Sequence, residues 1–380
     1  MTSAGGIGGA VTMPDPLRVV IAGGGTGGHL FPGIAVAREI QARVPAAQIS
    51  FAGTAQGIEA RVVPREGFVL DLIRSGGIKG KSVMARARGA ALLPYGFVDA
   101  WRIVSARAPH LVIGVGGYSS GPVVLVASVR GIPTLLLEQN AAPGLTNRLL
   151  APFVRAAAVA FDSTAASFGP KAFVSGNPVR PELLAAVGLR TEAARTSAPR
   201  ASLLVFGGSQ GAHAINMAMV DAAPALAARL PNLRVTHQTG TRDEDVVRAA
   251  YESAGLQADV APFFDDLPTR LTDADLIVCR AGATTLAEIT AVGAPAILVP
   301  LPTATDDHQR KNAEALAAVG AAGVLLQVDM TGHTLADRIV ALMGDRGARA
   351  RMAASARALG RPDAAHVIVD RALALVGTDR

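Results

Sequence analysis

The stretch Arg18-Val19-Val20-Ile21-Ala22-Gly23-Gly24-Gly25-Thr26-Gly27-Gly28-His29 decides the fold. An apolar run of strand length ends in a glycine turn, and the turn opens directly into a helical pattern. The second half of the chain repeats the device: Leu203 to Phe206 lead into Gly207-Gly208-Ser209-Gln210-Gly211. An offset of 183 positions pairs Gly24 with Gly207, Gly25 with Gly208, Thr26 with Ser209 and Gly28 with Gly211. One supersecondary unit is therefore used twice, a domain's length apart. At the end of such a unit, unpaired backbone N–H groups and the positive end of a helix dipole converge, which makes an anion site. Two of these facing one another predict chemistry on phosphate-bearing substrates in a cleft.

Working outward, apolar runs alternate with helical patterns throughout. The first half carries runs at 18–22, 48–52, 68–73, 111–115, 134–137, 157–161 and 173–175. The second carries 203–206, 234–237, 260–262, 276–279, 296–299 and 324–328. This order predicts an α/β chain whose parallel sheets are covered on both faces. Gly176-Asn177-Pro178-Val179-Arg180-Pro181 and the Ala/Arg/Ser-rich stretch to Ser202 read as hinge and linker. Helical periodicity at 348–359 and 364–376 closes the chain, and the last helix could cross back onto the first domain.

With 380 residues, half of them apolar, two domains are the expectation. The net charge of +6 comes from a chain with four Lys (79, 81, 171, 311) and many Arg, and no basic run interleaved with aromatics points to nucleic acid. A lone cysteine, Cys279, rules out an internal disulfide and a thiolate metal cage. Residues 1–16 lack the pattern of a signal peptide and read as a disordered tail; no stretch reaches the roughly 18 apolar residues of a membrane span.

Ligands of open parallel sheets bind beyond the carboxyl ends of the strands. Six loops gather there: Gly23 to His29, Gly116 to Gly121, Glu138-Gln139-Asn140, Gly207 to Gly211, Arg280 to Glu288, and Pro300 to Gln309. Gly23-x-Gly25-x-x-Gly28 formally meets a dinucleotide fingerprint, but that fingerprint also needs an acid at the end of the second strand, and Phe51-Ala52-Gly53-Thr54 has none. Gly80-Lys81-Ser82 fails as a phosphate loop because Ser75 stands where glycine is required. Asp273-Ala274-Asp275 falls before its strand, away from ligands, and reads as a turn. The seven histidines show no ligand spacing, so no metal is expected.

His29 is the outstanding titratable group. At a helix N-terminus the dipole disfavours imidazolium, leaving a ring able to accept a proton near pH 7. It reads either as a general base or as a packed helix-capping histidine. Glu288 follows the start of its helix by five residues, roughly 7 Å along the axis. If a diphosphate caps Ala283 and Thr284, that offset suits a carboxylate receiving ribose hydroxyls; otherwise Glu288 is a solvated helix residue.

With these residues in view the chain resembles the MurG family, the N-acetylglucosaminyltransferases that complete the lipid-linked peptidoglycan precursor. The resemblance runs from about Leu17 to the C-terminus. It rests on Gly24 to His29 with Phe31-Pro32-Gly33, Gly116-Gly117-Tyr118 with Ser120-Gly121-Pro122, and Glu138-Gln139-Asn140 with Gly144 to Asn147. It continues through Gly176 to Arg180, Gly207 to Ala212, Cys279 to Glu288, and Gln309 with Asn312-Ala313. Leu137, Ala281 and Phe264 depart from the family pattern.

The resemblance implies a GT-B fold, two Rossmann-like doubly wound domains facing across a cleft. Residues 17–178 would bind the acceptor and the membrane, 179–362 the donor, and 363–380 would cross back. Donor UDP-N-acetylglucosamine would touch Thr26, Gly27, Gly28, Asn140, Arg180, Ser209, Gln210, Phe264, the run Ala283, Thr284, Thr285, Leu286, Ala287 and Glu288, and Gln309. Ser209 would meet the diphosphate, Glu288 the ribose and Phe264 the uracil. Gly24, Gly25, Gly116, Gly117 and Tyr118 would hold the diphosphate of the acceptor, lipid I. His29 would be the base in a single inverting displacement that yields lipid II, with no cofactor and no metal. Other cell-wall synthesis proteins are implied as partners.

The acceptor's undecaprenyl chain requires a membrane contact at the cytoplasmic leaflet. Lys79, Lys81, Arg86, Arg88 and Arg102 border Val83, Met84, Leu92, Leu93, Tyr95, Phe97 and Trp101, a basic-rimmed apolar patch suited to an anionic interface. Packing of that helix on its own sheet is the alternative for the apolar residues. A UDP-sugar epimerase on the same scaffold and a membrane-associated scaffold without activity are the competing functions.

Overall fold

The computed structural model describes residues 14–76, 83–189, 201–208 and 211–377, with the backbone alone for 83–91 and 188–189. The tail up to residue 13, Lys79, Lys81, the linker 190–200, Ser209 and Gln210 lie outside the described residues.

Two parallel sheets repeat one winding. The first contains β1 (Arg18–Gly23), β2 (Gln48–Gly53), β3 (Val69–Leu72), β4 (Leu111–Gly116), β5 (Thr134–Glu138), β6 (Ala156–Val159) and β7 (Ala172–Val174), in the order β3-β2-β1-β4-β5-β6-β7. The second contains β8 (Ser202–Phe206), β9 (Arg234–Gln238), β10 (Gln257–Ala261), β11 (Leu276–Cys279), β12 (Ala296–Leu298) and β13 (Gly323–Val324), in the order β10-β9-β8-β11-β12-β13. The order reverses between β1 and β4 and again between β8 and β11, the switch points where doubly wound sheets open a crevice.

Central strands such as β4 and β5 are buried at every residue because helices cover both faces, so they read as unbroken apolar runs. The edges differ from expectation. β10 begins at Gln257, and its exposed Gln257, Ala258 and Asp259 carry no hydrophobic signal. β13 stops at Val324, after which the chain turns through Asp329 N–H to Leu326 carbonyl, leaving Val328 on the surface.

The helix Ala364–Gly377 packs on the first sheet, not the second. Ile368, Val369, Leu375 and Val376 join the cluster of Val19, Ile21 and Ile113, and Arg43 pairs with Asp370. Burying four aliphatic side chains is worth roughly 6–12 kcal/mol before entropy is charged against it. The returning chain passes the hinge at Gly176, where a Cβ would lie 2.4 Å from the Arg361 Cβ and φ is +79°. The stretch read as linker begins with a helix, Pro181–Leu189, whose Leu183 is buried among Phe206, Leu271 and Ile289 of the second core.

Candidate active site between the two sheets

A cavity of about 770 Å³ lies between the carboxyl ends of the two sheets. From the first domain it is lined by Gly24, Gly25, Thr26, Gly28 and His29, by Gly116, Gly117 and Tyr118, and by Glu138, Gln139 and Asn140. The second domain contributes Gly282, Ala283, the 301–306 loop, His308 and Gln309. Residues that are up to 285 positions apart, Gly24 to Gln309, are thus brought to one wall-to-wall space.

His29 stands in the first turn of the helix Gly27–Arg43, whose N-cap Thr26 makes no side-chain cap. The Gly27 and Gly28 amides have no protein acceptor among the described residues. Gln139 orients the imidazole. Its Nε2 donates to the Val115 carbonyl at 3.0 Å, which leaves Oε1 to accept from His29 Nδ1 at 3.3 Å. Nδ1 therefore carries the proton and Nε2 keeps its lone pair. Burial holds the His29 pKa below the ordinary histidine value, outweighing the opposing charge of Glu138. Desolvation thus acts in the same direction as the helix dipole expected from the sequence and favours the neutral ring. Gly116 makes room for it: a Cβ there would sit 2.8 Å from His29 Nδ1.

Glu138 organises the loop after β5. Oε1 accepts from Asn140 N–H at 3.1 Å and Nδ2 at 3.2 Å; Oε2 accepts from Gly144 N–H at 3.0 Å and Asn147 Nδ2 at 2.8 Å. The Asn140 side chain is also bound from the other domain, because buried Asn312 donates from Nδ2 to Asn140 Oδ1 at 3.1 Å. Asn312 Oδ1 accepts from Ala141 N–H at 2.8 Å. Asn140 is thus a strut between the domains as well as part of the cavity wall.

Across the cavity, Gln309 accepts from Leu301 N–H at 3.0 Å and closes the 301–308 loop. Asp306 and Asp307 take left-handed conformations, φ 57° and 55°, a strain characteristic of functional loops. They set His308 beside the cavity, with Nδ1 donating to the Thr305 carbonyl at 2.5 Å. His308 also lines the cavity, and its only signal in the sequence is its place beside Gln309.

Other expected residues lie elsewhere. Glu288 is buried and bonded by Arg180 Nε at 2.6 Å; burial raises its pKa, against the pull of Arg180. Glu288, expected at the ribose, and Arg180, expected to touch the donor, therefore hold one another. Leu286 and Ala287 line a separate cavity of about 100 Å³ near Asn177 and Arg361. Thr284 Oγ1 is buried without a partner among the described residues, and Thr285 sits in the same first turn, whose N-cap Gly282 offers no side chain. The Phe264 ring is in the core with the Arg270 guanidinium 3.8 Å above it, and its neighbour Phe263 is the exposed one. Cys279 is buried at a strand end. Among the described residues no group of three or more His, Cys, Asp or Glu could hold a metal ion.

Ser75 and Gly76 line the cavity, and Arg74 beside them is bonded at 2.8 Å to Asp99 of the helix Val83–Arg107. Leu93, Tyr95, Phe97, Val98 and Trp101 are exposed on it, with Arg74 over the Tyr95 ring at 5.0 Å and Arg130 over Trp101 at 5.1 Å. The Val83, Met84, Arg86 and Arg88 side chains lie outside the described residues. No described helix is long and apolar enough to cross a membrane.

Residues 19–159 match the glycosyltransferase family 28 N-terminal domain and 202–368 the family 28 C-terminal domain. A UDP-N-acetylglucosamine--N-acetylmuramyl-(pentapeptide) pyrophosphoryl-undecaprenol N-acetylglucosamine transferase of Anaeromyxobacter dehalogenans (strain 2CP-C) is 49% identical over 361 residues, 95% of this chain and 93% of the relative. The chain belongs to the MurG family of glycosyltransferases. A relative of the same name from Geobacter sulfurreducens is 46% identical over 94% of this chain and 98% of its own length. The crystal structure of Acinetobacter baumannii MurG superposes with a TM-score of 0.77 at 32% identity, covering 94% of this chain and 99% of that one. A Neisseria meningitidis UDP-GlcNAc 2-epimerase matches with a TM-score of 0.64 at 14% identity, covering 93% of this chain and 98% of that one, and shares the fold alone. Membership in the MurG family makes the chain a hexosyltransferase on a GT-B scaffold.

Proposed function

We propose that the chain transfers N-acetylglucosamine from its UDP carrier to the 4-hydroxyl of an N-acetylmuramyl-(pentapeptide) pyrophosphoryl-undecaprenol, in one inverting displacement. The observation that carries this is His29: a neutral ring with an open Nε2, fixed by Gln139, facing a cavity whose opposite wall is the Ala283 turn and the 301–309 loop. Nε2 takes the acceptor proton as the hydroxyl oxygen bonds to the anomeric carbon from the face opposite UDP. The departing diphosphate gains charge, and the uncapped amides of the Ala283–Val292 helix stabilise it. Arg180 can follow if ligand entry releases it from Glu288.

In this reading residues 17–178 with the last helix hold the acceptor and 179–362 hold the donor. The acceptor diphosphate, expected at Gly24 and Gly25, moves along the same loop because Glu59 takes the Gly25 amide: the Gly27 and Gly28 amides, expected to meet the donor, receive it together with the Gly116-Gly117-Tyr118 turn. The exposed Leu93 to Trp101 face with Arg74, Arg102 and Arg130 seats the protein on the cytoplasmic leaflet, so that a membrane-held diphosphate reaches the adjoining cavity mouth.

Purified chain supplied with labelled UDP-N-acetylglucosamine and the lipid-linked acceptor releases UDP and labels the lipid. Without acceptor the sugar nucleotide stays unchanged. Isomerisation of the sugar nucleotide alone would establish the epimerase reading, and no turnover in either arm would establish the scaffold.

A further inference from the structure

We propose that Glu59, through its buried carboxylate, is a positioning residue for the acceptor side of the reaction. It fixes the first glycine loop so that the Gly27 and Gly28 amides and His29 face the cleft; the inference rests on the transferase reading above. Glu59 opens the short helix Glu59–Arg65 and is fully buried. Its Oε2 accepts from Gly25 N–H at 2.7 Å, and its Oε1 accepts from Thr54 N–H at 2.9 Å and from the Thr54 hydroxyl at 2.8 Å. A buried carboxylate must be met by donors, and these three meet it.

The surrounding chain is hollowed out for it. A Cβ at Gly24 would lie 2.6 Å from the carboxylate, at Gly53 2.6 Å from Glu59 Cγ, and at Gly57 2.1 Å from Oε2. Three glycines, one in the first glycine loop, one at the end of β2 and one in the turn before the helix, thus leave space for one side chain. From there the constraint passes on: a Cβ at Gly117 would lie 2.7 Å from the Gly24 carbonyl oxygen, so the second glycine loop is seated on the first, and Gly116 abuts His29. A shift at Gly25 reaches His29 both along the chain and through the neighbouring loop.

Glu59 also supplies, in space, the acid that is absent at the end of β2. It is turned into the loop, where it occupies the Gly25 amide and sets a negative charge beside it. The Gly25 amide is thereby withheld from any phosphate, of nucleotide or acceptor, and the Gly27 and Gly28 amides of this loop are left to a ligand.

Glu59→Gln has one oxygen where the carboxylate has two, so an NH₂ must oppose either Gly25 N–H or the Thr54 donors. Thr54→Val removes one of the three bonds and serves if Glu59→Gln does not fold. In the full chain, kcat/KM for the lipid-linked acceptor is expected to fall at least about tenfold in Glu59→Gln and less in Thr54→Val, with the KM for UDP-N-acetylglucosamine within about twofold of wild type. Amide exchange should quicken at 23–29 and stay unchanged at 203–208. An acceptor kcat/KM within about twofold of wild type overturns the proposal, as does a loss shared equally by donor and acceptor with exchange raised throughout. If wild-type chain transfers no sugar, the transferase reading fails, and exchange alone judges Glu59: quickening confined to 23–29 supports it, and no change overturns it.

Discussion

Removing the Asn312 side chain tests whether the two domains work as one unit. Asn312 is fully buried in the second domain and makes three bonds: Ala141 N–H to Oδ1 at 2.8 Å, and Nδ2 to Asn140 Oδ1 at 3.1 Å and to the Ala281 carbonyl at 3.3 Å. Two of the three cross between domains. At about 1 kcal/mol net each, Asn312→Ala weakens the junction by about 2 kcal/mol, a factor of about thirty in the population of the joined arrangement. Asn312→Asp is the sharper variant. It keeps an oxygen for Ala141 N–H but sets a carboxylate against two acceptor oxygens, Asn140 Oδ1 and Ala281 O, in a buried site. Hydrogen bonding therefore predicts that the near-isosteric Asp is worse than Ala, whereas packing alone predicts the reverse. The assay is acceptor-dependent transfer, with UDP affinity by calorimetry as the control for the donor domain. Asn140→Ala in the Asn312→Ala background should cost less than in wild type, as coupled partners do. An Asp variant more active than the Ala variant, or strict additivity with Asn140→Ala, would refute the reasoning.

Because the His29 pKa is lowered and the base must be unprotonated, kcat/KM rises with pH on the acid side, through a value below 6.5, and is level by neutrality. His29→Ala should lower kcat by roughly 10²–10⁴-fold and abolish that limb; an unchanged pH profile in the variant assigns the proton elsewhere. Burial pushes His237 down to about 3. The unfolded chain then binds a proton below 6.5 that the folded chain refuses, so stability falls as pH drops from 6.5 towards 3, by about 1.4 kcal/mol per unit. Urea titrations at pH 7 and 5 should differ by about 2 kcal/mol from this group, and equal stabilities would contradict it. Trp101→Glu should weaken co-sedimentation with anionic vesicles about tenfold while transfer to a short, soluble acceptor is kept; unaltered sedimentation removes the helix from the membrane contact.

Strands and cleft were legible for a physical reason: a strand buried on both faces has nowhere to put a polar residue, so β4, β5 and β11 stand out as runs, and glycines cluster where loops approach one another. Edge strands blurred because solvent lifts that restriction, as at Gln257 and Val328. In the site, the residues following each strand were found by position alone. What remained hidden depends on long-range pairing. Asn312 and Asn140 are 172 residues apart, and Glu59 and Gly25 are 34 apart. The acid sought at the end of β2 is delivered from six positions past Gly53, after a turn that the fingerprint spacing does not allow. The Arg180–Glu288 pair was equally invisible, since each residue taken alone reads as a ligand contact.

The repeated winding also shows how two copies of one unit diverge. Beyond the second strand of each sheet stands a buried carboxylate: Glu59 after β2 and Asp243 after β9. Glu59 turns towards the glycine loop and takes the Gly25 amide. Asp243 turns back towards the start of His213–Arg229, the helix that follows the second glycine loop, where Oδ1 and Oδ2 each lie 3.0 Å from His213 Nδ1 and Oδ2 accepts from Asn216 Nδ2 at 2.9 Å. The carboxylate thus locks one glycine turn from within, while in the other copy it anchors an imidazole at the helix start. A loop whose amide is already taken by an internal anion suits the positioning of a base and an acceptor. In the second copy the carboxylate is spent on the helix start, and it is this copy that the proposed function assigns to the donor. Replacing Asp243 by Asn should accordingly weaken UDP binding and spare the acceptor KM, the mirror image of Glu59→Gln; calorimetry with UDP reads it directly, and undiminished affinity would break the parallel between the two halves.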